Sequence, residues 1–124
     1  MAKTILIVDD EKQITVVLNK FLLKEGFDVL TATDGKKALQ IAKKFLPDLI
    51  VLDIMMPGMD GGDVMATIME DDELKNIPII LLTALISDDE TSTFNEKNSN
   101  DRIIISKSLD INEQVRIIKK VLKV

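Results

Sequence analysis

The chain predicts an α/β fold, a doubly wound five-stranded parallel sheet built as five consecutive strand–helix units. Two observations carry this. Short apolar runs bounded by turn residues alternate with stretches of helical spacing along all 124 residues, the pattern of βαβ units. Four of the runs also end in a polar residue from one narrow chemical set. Residues 4–8 (TILIV) end at Asp9 and Asp10, 49–52 (LIVL) at Asp53, 79–82 (IILL) at Thr83, and 103–105 (III) one residue before Lys107.

Each element follows from local chemistry. After the first strand, Ile14, Val17, Leu18, Phe21 and Leu22 recur at helical spacing, and Gly26 supplies the stop signal. Residues 28–31 form a short second strand. Asp34-Gly35 turns into a helix carrying Ala38, Leu39, Ala42 and Phe45, bounded by Pro47. The third strand runs to Asp53 and a turn at Pro57-Gly58. A short helix starts near Asp60-Gly61 and is marked by Val64, Met65 and Ile68. The acidic stretch 70–73 reads as solvated loop, and Pro78 opens the fourth strand. Ser87 and Glu90 form a capping box for a helix over residues 88–97. Its Thr91, Ser92, Thr93 and Asn95 are mediocre helix formers, so this helix is expected to be the least stable. Asn98, Ser99 and Asn100 lead to the fifth strand, and Asp110 with Glu113 caps a last helix. Ile111, Val115, Ile118 and Leu122 of that helix suit the core. Ile117, Val121 and Val124 lie on an adjoining face, expected to serve output and self-association together with the fifth strand and the helix before it.

Composition narrows the chemistry. One domain spanning 1–124 is expected from the length, with 46% apolar and 30% charged residues. No run is long enough to span a membrane, and Met1-Ala2-Lys3 shows no signal-peptide pattern, so the expected location is cytoplasmic without a membrane partner. Cys and His are both absent, which excludes disulfides, thiolate and imidazole metal sites, and imidazole acid–base chemistry. A net charge of −5, with no isolated basic cluster and neither Trp nor Tyr, argues against direct nucleic-acid binding. What remains is carboxylate, hydroxyl, amine, backbone and a hard metal ion.

In open parallel sheets, ligands bind outside the carboxyl ends of the strands, where strand order reverses. Asp9, Asp10, Asp53, Thr83 and Lys107 all fall at that edge. Singly, each has an ordinary reading: Asp9 and Asp10 as helix-start residues, Asp53 as a turn initiator, Thr83 as a strand former, Lys107 as a surface lysine. Together they make a site. Carboxylates bind Mg²⁺, and a hydroxyl and an ammonium bind phosphoryl oxygens, so the set reads as phosphoryl transfer onto an aspartate.

With ILIVDDE at 5–11, PDLIVLDIMMPGMDG at 47–61, PIILLTA at 78–84 and SK at 106–107, essentially the whole chain resembles the receiver domain of two-component response regulators. The resemblance implies a (βα)₅ flavodoxin-like sheet of strand order 2-1-3-4-5. It implies Asp53 as phosphoacceptor, and Asp10, Asp53 and the Met55 backbone carbonyl as Mg²⁺ ligands, with Asp9 acting through water. Thr83 would be the switch hydroxyl and Lys107 the phosphoryl contact. The implied donor is a phosphohistidine on a sensor histidine kinase or phosphotransfer protein, and the implied output is a surface read by a downstream protein or by a second copy in a phosphorylation-dependent dimer.

Two positions depart from the family pattern. Ser108 follows Lys107 where the family has proline after a cis bond; a non-proline cis bond costs about 2.5–4 kcal/mol, so a different loop is expected here. Ile105 stands where the family carries an aromatic residue, so no ring at that position reports phosphorylation. Met55 and Leu85, two residues after the phosphoacceptor and two after the switch hydroxyl, cannot orient a hydrolytic water strongly, so a long-lived phosphorylated form is expected. A receiver-like interaction module without phosphorylation is the alternative, and the five site residues argue against it. An aspartate-nucleophile phosphatase would need a second Asp two residues after the first, where Met55 stands.

Overall fold

The computed structural model describes residues 2–54, 56, 61–84 and 102–124. Met55, the Pro57-Gly58 turn, Leu85 and the helix expected over 88–97 lie outside them. Strands β1 (Thr4–Val8), β2 (Asp28–Ala32), β3 (Leu49–Asp53), β4 (Ile79–Thr83) and β5 (Arg102–Ser106) form one sheet in the order β2-β1-β3-β4-β5. Every pairing is parallel, as the alternating sequence pattern requires. Four helices are described: α1 (Lys12–Lys24), α2 (Gly35–Phe45), α3 (Gly61–Glu70) and α4 (Ile111–Leu122).

Side-chain alternation along the strands sorts the core into two layers. Ile5, Ile7, Leu49, Val51, Ile80, Leu82 and Ile105 pack with Leu18 and Leu22 of α1 and with Val115 and Ile118 of α4. Leu6, Val8, Ile50, Leu52, Ile79 and Leu81 pack on the opposite face with Ala38 and Ala42 of α2 and Val64 and Ile68 of α3. β3 and β4 are buried along their whole length, which accounts for their continuous apolar sequence. Burial of each such Leu or Ile stabilises the fold by roughly 1.5–3 kcal/mol.

The helix ends match their sequence signals, with instructive exceptions. Gly26 closes α1 at φ +91°, and its amide bonds the carbonyl of Leu23 at 3.0 Å. The Asp34 carboxylate accepts the Lys37 amide at 2.8 Å to start α2. Leu46 ends that helix in the left-handed region at φ 48°, one residue before Pro47. At α4 the Asp110 carboxylate accepts the Asn112 amide at 2.9 Å, but Glu113 does not close a capping box; it pairs with Arg116 at 2.8 Å. The acidic stretch after α3 is more structured than a solvated loop. Asp71 accepts the Glu73 and Leu74 amides, and Lys43 of α2 pairs with Asp71 at 2.7 Å and Glu73 at 2.9 Å.

The last helix corrects one expectation. Ile117, read as lying on a face adjoining the core, is 4% exposed and belongs to the core itself. Val121 is partly buried against the same cluster, and only Val124 of that trio is exposed. The core-facing stripe of α4 is simply broad, as helices on a sheet require.

Candidate functional site

Strand parity and register build the site. Ile5 and Ile7 of β1 face α1 and α4, so two residues further Asp9 points to that side; Leu49 and Val51 place Asp53 likewise. Val8 stands opposite Leu52 across β1–β3, which puts Asp9 beside Asp53 at the sheet edge where strand order reverses. Asp9 is 0% exposed and Asp53 1%, whereas Asp10, at the next turn residue, is exposed. Thr83 ends β4 opposite Ser106 and is buried. The amide of Lys107 then donates to the Thr83 carbonyl at 2.9 Å, which carries the lysine back over the edge.

The Lys107 ammonium is the hub. It lies 3.0 Å from Asp53 Oδ2 and 2.9 Å from Glu11 Oε1. It also straddles Asp9, hydrogen-bonding Oδ1 at 3.3 Å with Oδ2 at 3.2 Å. Burial alone would lower the Lys107 pKa, but the hydrogen bonds it donates to Glu11 and Asp53 and the charge of Asp9 outweigh it and hold the group above its ordinary value. Asp9 shows the reverse balance. Burial raises it, the Glu11 amide bonded at 2.9 Å lowers it, Asp53 repels it and Lys107 attracts it, with the result pushed up to about 6. Two buried carboxylates side by side are under-compensated by one lysine shared among three acids.

That imbalance is the test of a metal site. Among the described residues, Asp9 Oδ2 is buried and accepts no hydrogen bond. One carboxylate oxygen from each of Asp9, Asp10, Glu11 and Asp53 lies within 4.8 Å of the others. An all-oxygen anionic donor set, in which one buried oxygen meets Lys107 by charge alone, fits a hard divalent cation. The close approach of α3 shapes the same edge. The Gly61 amide bonds the Ile54 carbonyl at 2.9 Å, and a Cβ at Gly61 would overlap the Asp53 carbonyl oxygen.

The structure therefore brings Asp9, Asp53 and Lys107 into direct contact, sets Asp10 alongside them, and places Thr83 on the neighbouring strand end. The Met55 carbonyl lies outside the described residues. Sequence reasoning assigned Glu11 no role, although it closes an ion pair on Lys107. Its position directly after two aspartates in the 5–11 motif was the available signal. The Lys107–Ser108 peptide is trans, since the described residues contain no cis bond. Ser106 and Ser108 hydroxyls instead bond each other at 2.8 Å.

Comparison with known proteins agrees with this architecture. Residues 5–119 match the family model of the response regulator receiver domain, and the chain belongs to that family. It is similar to response regulator PleD of Caulobacter vibrioides, with 45% identity over 85 residues, 68% of this chain and 19% of that protein. The Bacillus subtilis alkaline phosphatase synthesis transcriptional regulatory protein PhoP is 45% identical over 84 residues, 68% of this chain and 34% of its own length. The chain thus spans about a fifth to a third of these relatives. The receiver domain of Francisella response regulator 1452 superposes with a TM-score of 0.81 at 29% identity, covering 98% of this chain and 97% of that one. The protein is a receiver domain of two-component signalling. No described helix is long and apolar enough to cross a membrane.

Proposed function

We propose that the chain accepts a phosphoryl group on Asp53 and thereby switches a protein-binding surface. The observation that carries the reading is the buried Asp53 carboxylate, held 3.0 Å from Lys107 at the end of β3 beside two further aspartates. Asp10 and Asp53 would hold Mg²⁺ directly and Asp9 through water, with the Met55 carbonyl completing the set. When bound, the ion offsets the carboxylate charge and that of the incoming phosphoryl oxygens.

The chain's own residues do the rest. An Asp53 oxygen attacks phosphorus as the donor's P–N bond breaks, and the electron pair leaves with the donor imidazole. Lys107 follows the transferred charge from the carboxylate to the phosphoryl oxygens, moving a short distance within its ring of acids. The Thr83 hydroxyl donates to a phosphoryl oxygen. With no His in these 124 residues, the donor lies outside them, a phosphohistidine of a sensor histidine kinase or of a phosphotransfer protein. A downstream protein or a second copy of the chain then reads the altered surface.

Acetyl phosphate with Mg²⁺ is expected to yield one base-labile acyl phosphate per chain, absent in Asp53→Asn. Normal labelling of that variant would overturn the assignment. An interaction module without phosphorylation would give no label in the wild type.

A further inference from the structure

Gln114 stands one turn into α4, yet it is only 5% exposed. A primary amide is costly to bury unless its donors are used. Its Nε2 donates to the Leu109 carbonyl at 2.8 Å and reaches the Lys107 carbonyl at 3.5 Å, the long limit of a hydrogen bond. Those two carbonyls flank Ser108, so one side chain spans the loop that carries Lys107. A helix side chain leans toward the helix N-terminus, which is where this loop lies.

Other bonds in the loop point the same way. The Ser108 amide donates to Ser106 Oγ at 3.1 Å, the two serine hydroxyls meet at 2.8 Å, and the Lys107 amide is tied to Thr83. Proline would stiffen such a loop through its ring. Here the chain has serine, and hydrogen bonds take over that restraint.

We propose that Gln114 is a positioning residue for Lys107. Its amide fixes the carbonyls on either side of Ser108, and the fixed loop keeps the ammonium over Asp53, Asp9 and Glu11. Helix α4 is thereby coupled to the site through a buried polar side chain. The kinetic consequence rests on the phosphotransfer reading above; the positioning itself does not.

Two variants test it. Gln114→Met keeps the length and loses the donors, and Gln114→Glu keeps the shape and presents oxygens to two carbonyls. Both should slow acetyl phosphate labelling of the full chain roughly tenfold, well short of the hundredfold that a full ångström of misplacement costs. Gln114→Met should slow labelling no further in a Lys107→Ala background, because the two residues act through one contact. Labelling at the wild-type rate in both variants overturns the proposal, as does equal fractional slowing with and without Lys107. A second readout does not depend on turnover. In protein carrying nitrogen-labelled lysine, the Lys107 ammonium resonance should exchange faster with water in both variants; an unchanged resonance overturns the proposal. A wild-type chain that takes no label sinks the phosphotransfer reading, and the ammonium resonance then decides the positioning role alone.

Discussion

Asp9 carries the sharpest consequence at the scale of a single residue. Its pKa in the folded protein is pushed up to about 6 by burial and by Asp53, above the ordinary carboxylate value of 3.8. The native state therefore holds this proton more tightly than the unfolded chain. The associated stability is present below the ordinary value and is lost as pH rises through about 6. Without divalent cations, melting temperature should fall between these limits by more in the wild type than in Asp9→Asn; parallel curves for the two proteins would refute this account. A proton on Asp9 would oppose the Mg²⁺ proposed for this pocket, so Mg²⁺ should raise the melting temperature less at the acid end of that window. Much of the site could be read from sequence at this scale because strand-end position and residue type are both local properties. For Glu11 the one signal was its place directly after Asp9 and Asp10; its partner lies 96 residues away and nothing near it signals a lysine. Gln114 was equally hidden. A polar residue in a helix reads as solvent-facing, and only the path of the β5–α4 loop reveals the carbonyls waiting for it.

Helices show where pattern reading succeeds and where it stops. Spacing located α1, α2 and α3, and the caps at Asp34 and Asp110 were chemically legible. Ile117 was not, because the width of an apolar stripe depends on how deeply a helix settles onto its sheet, which only the packed structure fixes. The capping partner at Glu113 was lost to a better one, Arg116, one turn further on. The start of α3 supports a direct prediction. Gly61 is needed for contact distance, since any Cβ there meets the backbone of Asp53 and Ile54 rather than a flexible side chain. Gly61→Ala should lower stability by about 1–3 kcal/mol, the usual effect of overfilling a packed site. It should also disturb labelling of Asp53, because the strand end must move to make room. Chemical denaturation and acetyl phosphate labelling of the same variant check both; a neutral effect on each would show that α3 can back away freely.

For the molecule as a whole, the predicted response is to a cation that only the folded chain can gather. Mg²⁺ at ten times its dissociation constant should stabilise by roughly 1.4 kcal/mol, and Asp10→Ala should abolish the gain. A melting curve indifferent to millimolar-scale Mg²⁺ would count heavily against the carboxylate pocket. The strand order was anticipated from the resemblance to receiver domains; alternation of strand and helix by itself only narrows the choice to right-handed, unknotted arrangements. That order also has a consequence in time. The acids of the site lie on or just after β1 and β3, all within the first 53 residues, whereas their lysine directly follows β5, an edge strand bonded only to β4. A chain emerging from the ribosome makes the site's acids before the lysine they share. Lys107→Ala should consequently speed unfolding while leaving refolding nearly unchanged, because its contacts form after the folding barrier. Stopped-flow refolding that slows in proportion to the lost stability would place the lysine earlier and reverse that order of assembly.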